Sequence, residues 1–122
     1  MSDASVINFI QAHIKSVWAI EQMLVLAREP DRKWQIDELV LETRSSSTAV
    51  REALQNLQSV GLIIQTQEGA YQFAPQSDEL RDVAHGILQA YVERPRAVIQ
   101  AIFAGPKDSL TLFADAFKFK RE

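Results

Sequence analysis

Apolar residues recur at helical spacing through the start of the chain: Val6, Phe9, Ile10, Ile14, Val17, Trp18, Met23 and Leu24. Such spacing predicts helix, with Asp3 or Ser5 as a capping residue and Pro30 as the stop, because the residue before a proline avoids the α region. Residues 4–29 therefore read as one long helix or two abutting ones. Lys33-Trp34-Gln35 is short enough to be a brief strand. Ile36 to Thr43 places Ile36, Leu39 and Val40 on one face and Asp37 and Glu38 in a first turn, where acids suit the helix dipole.

Arg44-Ser45 is a tight break, and Ser46 is a good N-cap for the next helix. That helix, 46–60, carries Val50, Leu54 and Leu57 on one stripe with Ala53 beside them, and Gly61 follows it as a C′ glycine. Leu62 to Thr66 is rich in strand formers, Gln67-Glu68-Gly69 is a turn, and Ala70 to Ala74 is a second strand with Tyr71 and Phe73 on one face. Pro75 closes this hairpin. Ser77 with Asp78 and Glu79 starts a further helix whose stripe is Leu80, Val83, Ala84, Ile87, Leu88 and Tyr91. Pro95 suits the first position of another helix, Gly105-Pro106 ends it, and Leu110 to Phe119 is predicted as a last helix. Its apolar residues form two stripes: Leu110, Phe113 and Phe117 on one side, Leu112, Ala116 and Phe119 on the other.

The predicted fold class is mainly α with a small β wing, in a single domain over 1–122. It divides into an N-terminal helical segment (4–29), a helix-turn-helix and hairpin core (33–75) and C-terminal helices (77–122). The segment IDELVLETRSSSTAVREALQNLQSVGLI resembles the winged helix-turn-helix of bacterial transcriptional regulators, in the broad group that includes the MarR-like proteins. The features that carry the resemblance are Leu39 and Val40, the Ser-Ser-Ser-Thr helix start, Val50, Leu54 and Leu57, and Gly61-Leu62 ahead of the wing. The core that contains it, 33–75, is about a third of the chain.

The resemblance implies a DNA-binding regulator whose helix 46–60 lies in the major groove of double-stranded DNA. Turned by helical periodicity from Val50, Thr48, Gln55 and Ser59 fall opposite the core stripe and Arg51 on its flank. Ser46, Ser47 and Thr48 would offer hydroxyl and backbone donors to phosphate. Arg51 suits a guanine edge and Gln55 an adenine edge, and Arg44, in the turn, would reach the backbone. The terminal helices are rich enough in apolar residues for a homodimer built from them, as in MarR-like proteins.

Charge complicates this picture. The whole chain carries a formal net charge of −3, and between Pro30 and Pro75 four basic residues (Arg32, Lys33, Arg44, Arg51) face six acidic ones (Asp31, Asp37, Glu38, Glu42, Glu52, Glu68). The wing tip, Gln67-Glu68-Gly69, is short and has no cation. One copy would therefore make few phosphate contacts, which leaves an alternative: an adaptor that binds a protein partner and not DNA. Gln35 is also a poorer cap for the second helix than Ser or Asp.

Catalytic chemistry finds no support. His13 and His85 have no ligand spacing around them, no Gly-rich phosphate loop follows a strand, and no nucleophile elbow is present. No enzyme activity and no cofactor are expected. Trp18, Trp34, Tyr71 and Tyr91 suit a ligand pocket or a core, and the core role is the expected one. The first residues, MSDASVINFI, lack the basic and cleavage features of a signal peptide. No apolar run is long enough to span a bilayer. With no cysteine in the chain, a cytoplasmic location is expected.

Overall fold

The computed structural model describes residues 3–105: six helices and one two-stranded sheet. The N-terminal segment is two helices, α1 (Asp3–His13) and α2 (Val17–Arg28). No proline or glycine separates them. The break is made by Ser16, whose extended backbone and side chain cap α2 by accepting from the Ala19 N–H at 3.1 Å. Because α1 already begins at Asp3, Ser5 lies inside the helix rather than capping it.

After α2 come α3 (Ile36–Thr43), α4 (Ser47–Val60), the antiparallel strands β1 (Ile63–Gln65) and β2 (Tyr71–Phe73), α5 (Asp78–Glu93) and α6 (Pro95–Ala104). The register pairs Ile63 with Phe73, Ile64 with Gln72 and Gln65 with Tyr71. The strand expected over Lys33-Trp34-Gln35 shrinks to Trp34 alone, which exchanges two backbone hydrogen bonds with Tyr71, at 2.8 and 2.7 Å. The last helix expected, Leu110 to Phe119, lies outside the described residues.

Several punctuation residues act as their chemistry predicts. Ser46 and Ser77 cap α4 and α5, accepting from the N–H groups of Ala49 and Leu80 at 3.1 Å each. Pro95 opens α6. Gly61 ends α4 in the left-handed region (φ 93°), with its N–H on the carbonyls of Leu57 and Gln58. Gln35 holds the cap position of α3 as expected, and Glu38 completes a capping box there, its carboxylate accepting from the Gln35 N–H at 2.8 Å.

Packing forms two groups. α2, α3 and α4 pack on one another with the hairpin against α2 and α4, while α1 packs on α5 and α6. One continuous core joins them, from Val6, Ile10 and Ile14 in α1 through Ile20, Met23 and Leu26 in α2 to Val50, Leu54 and Leu57 in α4 and Ile87, Val98 and Ile102 beyond. Trp34 is buried in it, Tyr71 and Tyr91 are half-buried, and Trp18 departs from the core role by standing half exposed. Among the described residues no helix is long and apolar enough to cross a membrane.

Gly86 sets the approach of α1 to α5. A Cβ built there falls 2.8 Å from Cγ2 of buried Val6. Alanine in a helix interior is worth about 1 kcal/mol over glycine, but overpacking a stiff β-branched neighbour costs about 1–3 kcal/mol. Gly86→Ala is therefore expected to lower stability despite its better helix propensity, and adding Val6→Ala is expected to recover part of the loss in a double-mutant cycle. A Gly86→Ala protein with a raised urea midpoint would show that α1 does not approach this closely.

Candidate functional site

The connection between α3 and α4 is three residues long, and its shape is set by one of them. Arg44 adopts the left-handed conformation (φ 54°, ψ 37°), alone among the described non-glycine residues in having a positive φ. That conformation costs an L-residue roughly 1–2 kcal/mol, and the surroundings hold it in place. The Gln22 amide in α2 donates to the Thr43 hydroxyl at 3.0 Å, and that hydroxyl donates to the Leu39 carbonyl at 2.7 Å. The end of α3 is thus tied to α2 just where the chain turns. Gln22 is fully buried, and its Oε1 has no partner.

α4 buries Val50, Ala53, Leu54, Asn56 and Leu57. All six residues singled out from the sequence, Arg44, Ser46, Ser47, Thr48, Arg51 and Gln55, are exposed. Ser46, Ser47, Thr48 and Arg51 lie in the first turns of α4 with Arg44 just ahead of them. Gln55 lies a turn further on, where it lines a groove of about 530 Å³ with Trp18 and Glu52. Ser46 already accepts from the Ala49 N–H, which leaves its hydroxyl hydrogen free to be donated outward.

The cations differ in how they are engaged. Arg28 pairs with Glu42 at 3.5 Å, and Arg32 with Glu38 at 3.4 Å and Glu29 at 3.6 Å. Arg32 also lies over the Trp34 ring, 3.5 Å from its centroid. Among the described residues neither Arg44 nor Arg51 makes an ion pair. The two guanidinium groups at the α4 N-terminus are therefore uncommitted, while those at the α2–α3 edge are held by acids. Exposed Glu52 stands beside Arg51, and exposed Gln67 and Glu68 form the hairpin tip.

Sequence reasoning missed Asn56. It is 6% exposed on the inner face of α4. Its Oδ1 accepts from the Lys15 N–H and its Nδ2 donates to the His13 carbonyl, both at 2.9 Å. It thereby satisfies backbone groups freed where α1 stops and α2 begins, and fixes both helices to α4. The only sequence signal is a polar residue beside an apolar stripe.

The remaining candidates do not converge. His13 lies against Phe9 (centroids 4.7 Å apart) and His85 edge-on to Phe73 (6.3 Å), both exposed. Among the described residues no cluster of His, Asp and Glu is arranged to hold a metal ion. Burial, and secondarily the Glu21 carboxylate, push the Tyr91 hydroxyl above its usual pKa, so it stays a neutral donor. No protein-family profile matches the chain, and no curated protein or solved structure is found to be similar to it.

Proposed function

We propose that this protein is a cytoplasmic, non-enzymatic transcriptional regulator of winged helix-turn-helix type that reads double-stranded DNA with α4 as a homodimer paired through its terminal helices. The observation that carries the reading is the exposed polar stripe at the start of α4, with the uncommitted guanidinium groups of Arg44 and Arg51 at its end. Phosphate oxygens are met by the first-turn N–H groups and by Ser47 and Thr48. Arg51 reaches a base edge and Gln55 a second one further along the groove. Dimerisation answers the shortage of cations by doubling the phosphate contacts and setting two α4 helices one helical turn of DNA apart.

Arg44→Gly separates the fold from the contact. Glycine is at ease in the left-handed region, so the variant is expected to keep the wild-type unfolding free energy, measured in urea, to within about 1 kcal/mol. Its affinity for duplex DNA is expected to fall and its salt dependence to lose about one counterion. Unchanged affinity in a stable Arg44→Gly protein would remove the turn from the interface.

A second reading is favoured by the acids: Glu52 on the same stripe and Glu68 at the hairpin tip repel phosphate. In that reading the domain is an adaptor that binds a protein partner through this face. Recovery of a stoichiometric protein without nucleic acid would support it.

A further inference from the structure

α2 begins and α6 ends at an exposed apolar patch. Trp18 is 50% exposed and Phe103 80% exposed, unlike the apolar residues around them. Together with Val17 and Ile102 they floor a groove of about 420 Å³, with Lys15 and Glu21 on its rim. Paired large apolar side chains in a shaped groove mark a surface that another segment covers.

We propose that the occupant is this chain's own C-terminal segment, Leu110 to Phe119, which lays its Leu110, Phe113 and Phe117 stripe on the Trp18–Phe103 groove of the same molecule. Four observations point there. The described chain ends beside the groove, since Phe103 is the penultimate residue of α6. Gly105 then turns the chain at φ 73°, ψ −178°, a region open almost only to glycine. A Cβ at that position would meet nothing within 4 Å, so backbone conformation, not space, is what calls for glycine there. Residues 105–109 are five in number, enough to span up to about 17 Å when extended, which brings Leu110 within reach. Finally, helical periodicity places Lys118 and Lys120 on either side of the stripe, and Glu21 waits on the rim.

The second stripe, Leu112, Ala116 and Phe119, faces away from the groove in this arrangement and is left for pairing with another copy. The docking itself does not depend on DNA binding.

The chain has no cysteine, so a pair introduced by mutation reports cleanly. The full-length Glu21→Cys/Lys118→Cys protein, treated with a short bis-maleimide, is expected to give one cross-linked species of monomer mass. A cross-linked dimer would overturn the proposal in favour of exchange between copies, and absence of cross-linking would overturn it outright. As a second readout, Phe113→Ser/Phe117→Ser in the full-length chain is expected to raise acrylamide quenching of tryptophan fluorescence roughly twofold, because Trp34 stays buried and Trp18 is uncovered. Quenching equal to wild type would likewise overturn it.

Discussion

Replacing Asn56 by leucine lowers the stability of the protein by about 2–3 kcal/mol. The amide hydrogen-bonds α4 to the break between α1 and α2, at 2.9 Å to both the Lys15 N–H and the His13 carbonyl. A leucine of similar volume removes donor and acceptor together and leaves two backbone groups short of partners, and each such group costs about 1–3 kcal/mol when water cannot replace the bond. Water reaches part of this region through the groove that Asn56 lines with Lys15 and Ser16, which keeps the sum below its upper limit. Gln22→Met provides the comparison. Gln22 is more deeply buried, but it makes one side-chain bond and leaves one oxygen unpaired. Removing both its polar atoms is therefore expected to change stability by less than about 1 kcal/mol. Urea unfolding of both variants, with unchanged m-values, measures the contrast. An Asn56→Leu protein as stable as wild type would show that the α1–α2 junction is held by something other than this amide.

Arg51→Ala weakens duplex binding by about 1–3 kcal/mol, or roughly 5- to 150-fold, if the guanidinium reads a base. A phosphate contact would instead weaken all duplexes alike and reduce the salt slope by about one. Arg28→Ala is the matched control. It removes the same charge from a side chain held by Glu42 at 3.5 Å, and it is expected to leave affinity within a factor of about two, since a guanidinium already paired with a carboxylate is not free for phosphate. Equal losses from the two substitutions would mean that general charge, and not α4, governs binding.

What the sequence made legible was local. α4 carries its own instructions: a serine cap, an apolar stripe at helical spacing and a glycine in the left-handed region at its end. The exposed face of Thr48, Arg51 and Gln55 follows from that periodicity alone. The features that escaped depend on distant partners. The N-terminal segment reads as one helix or as two, and although Ser16 caps the second locally, the amide that holds the junction, Asn56, lies 41 positions from Lys15. Gly86, a poor residue for the middle of a helix, is explained only by Val6. The brief strand at Lys33-Trp34-Gln35 is legible, but not its reduction to Trp34 alone, because the pairing partner Tyr71 lies far along the chain. Within the site, the positions of the arginines could be counted, but not their availability. Pairing of Arg28 with Glu42 and of Arg32 with Glu38 crosses element boundaries, and only the fold shows that Arg44 and Arg51 stay outside such pairs.

The most direct test of the regulator reading is fluorescence anisotropy of a labelled duplex pool titrated with the full-length protein at low and at moderate salt. The account predicts binding at low salt that falls steeply as salt rises, because each phosphate neutralised by Arg44, Arg51 and their counterparts in the second copy releases counterions. Absence of binding even at low salt would contradict it, and would assign the α4 face, with Glu52 and the acidic hairpin tip, to a protein partner.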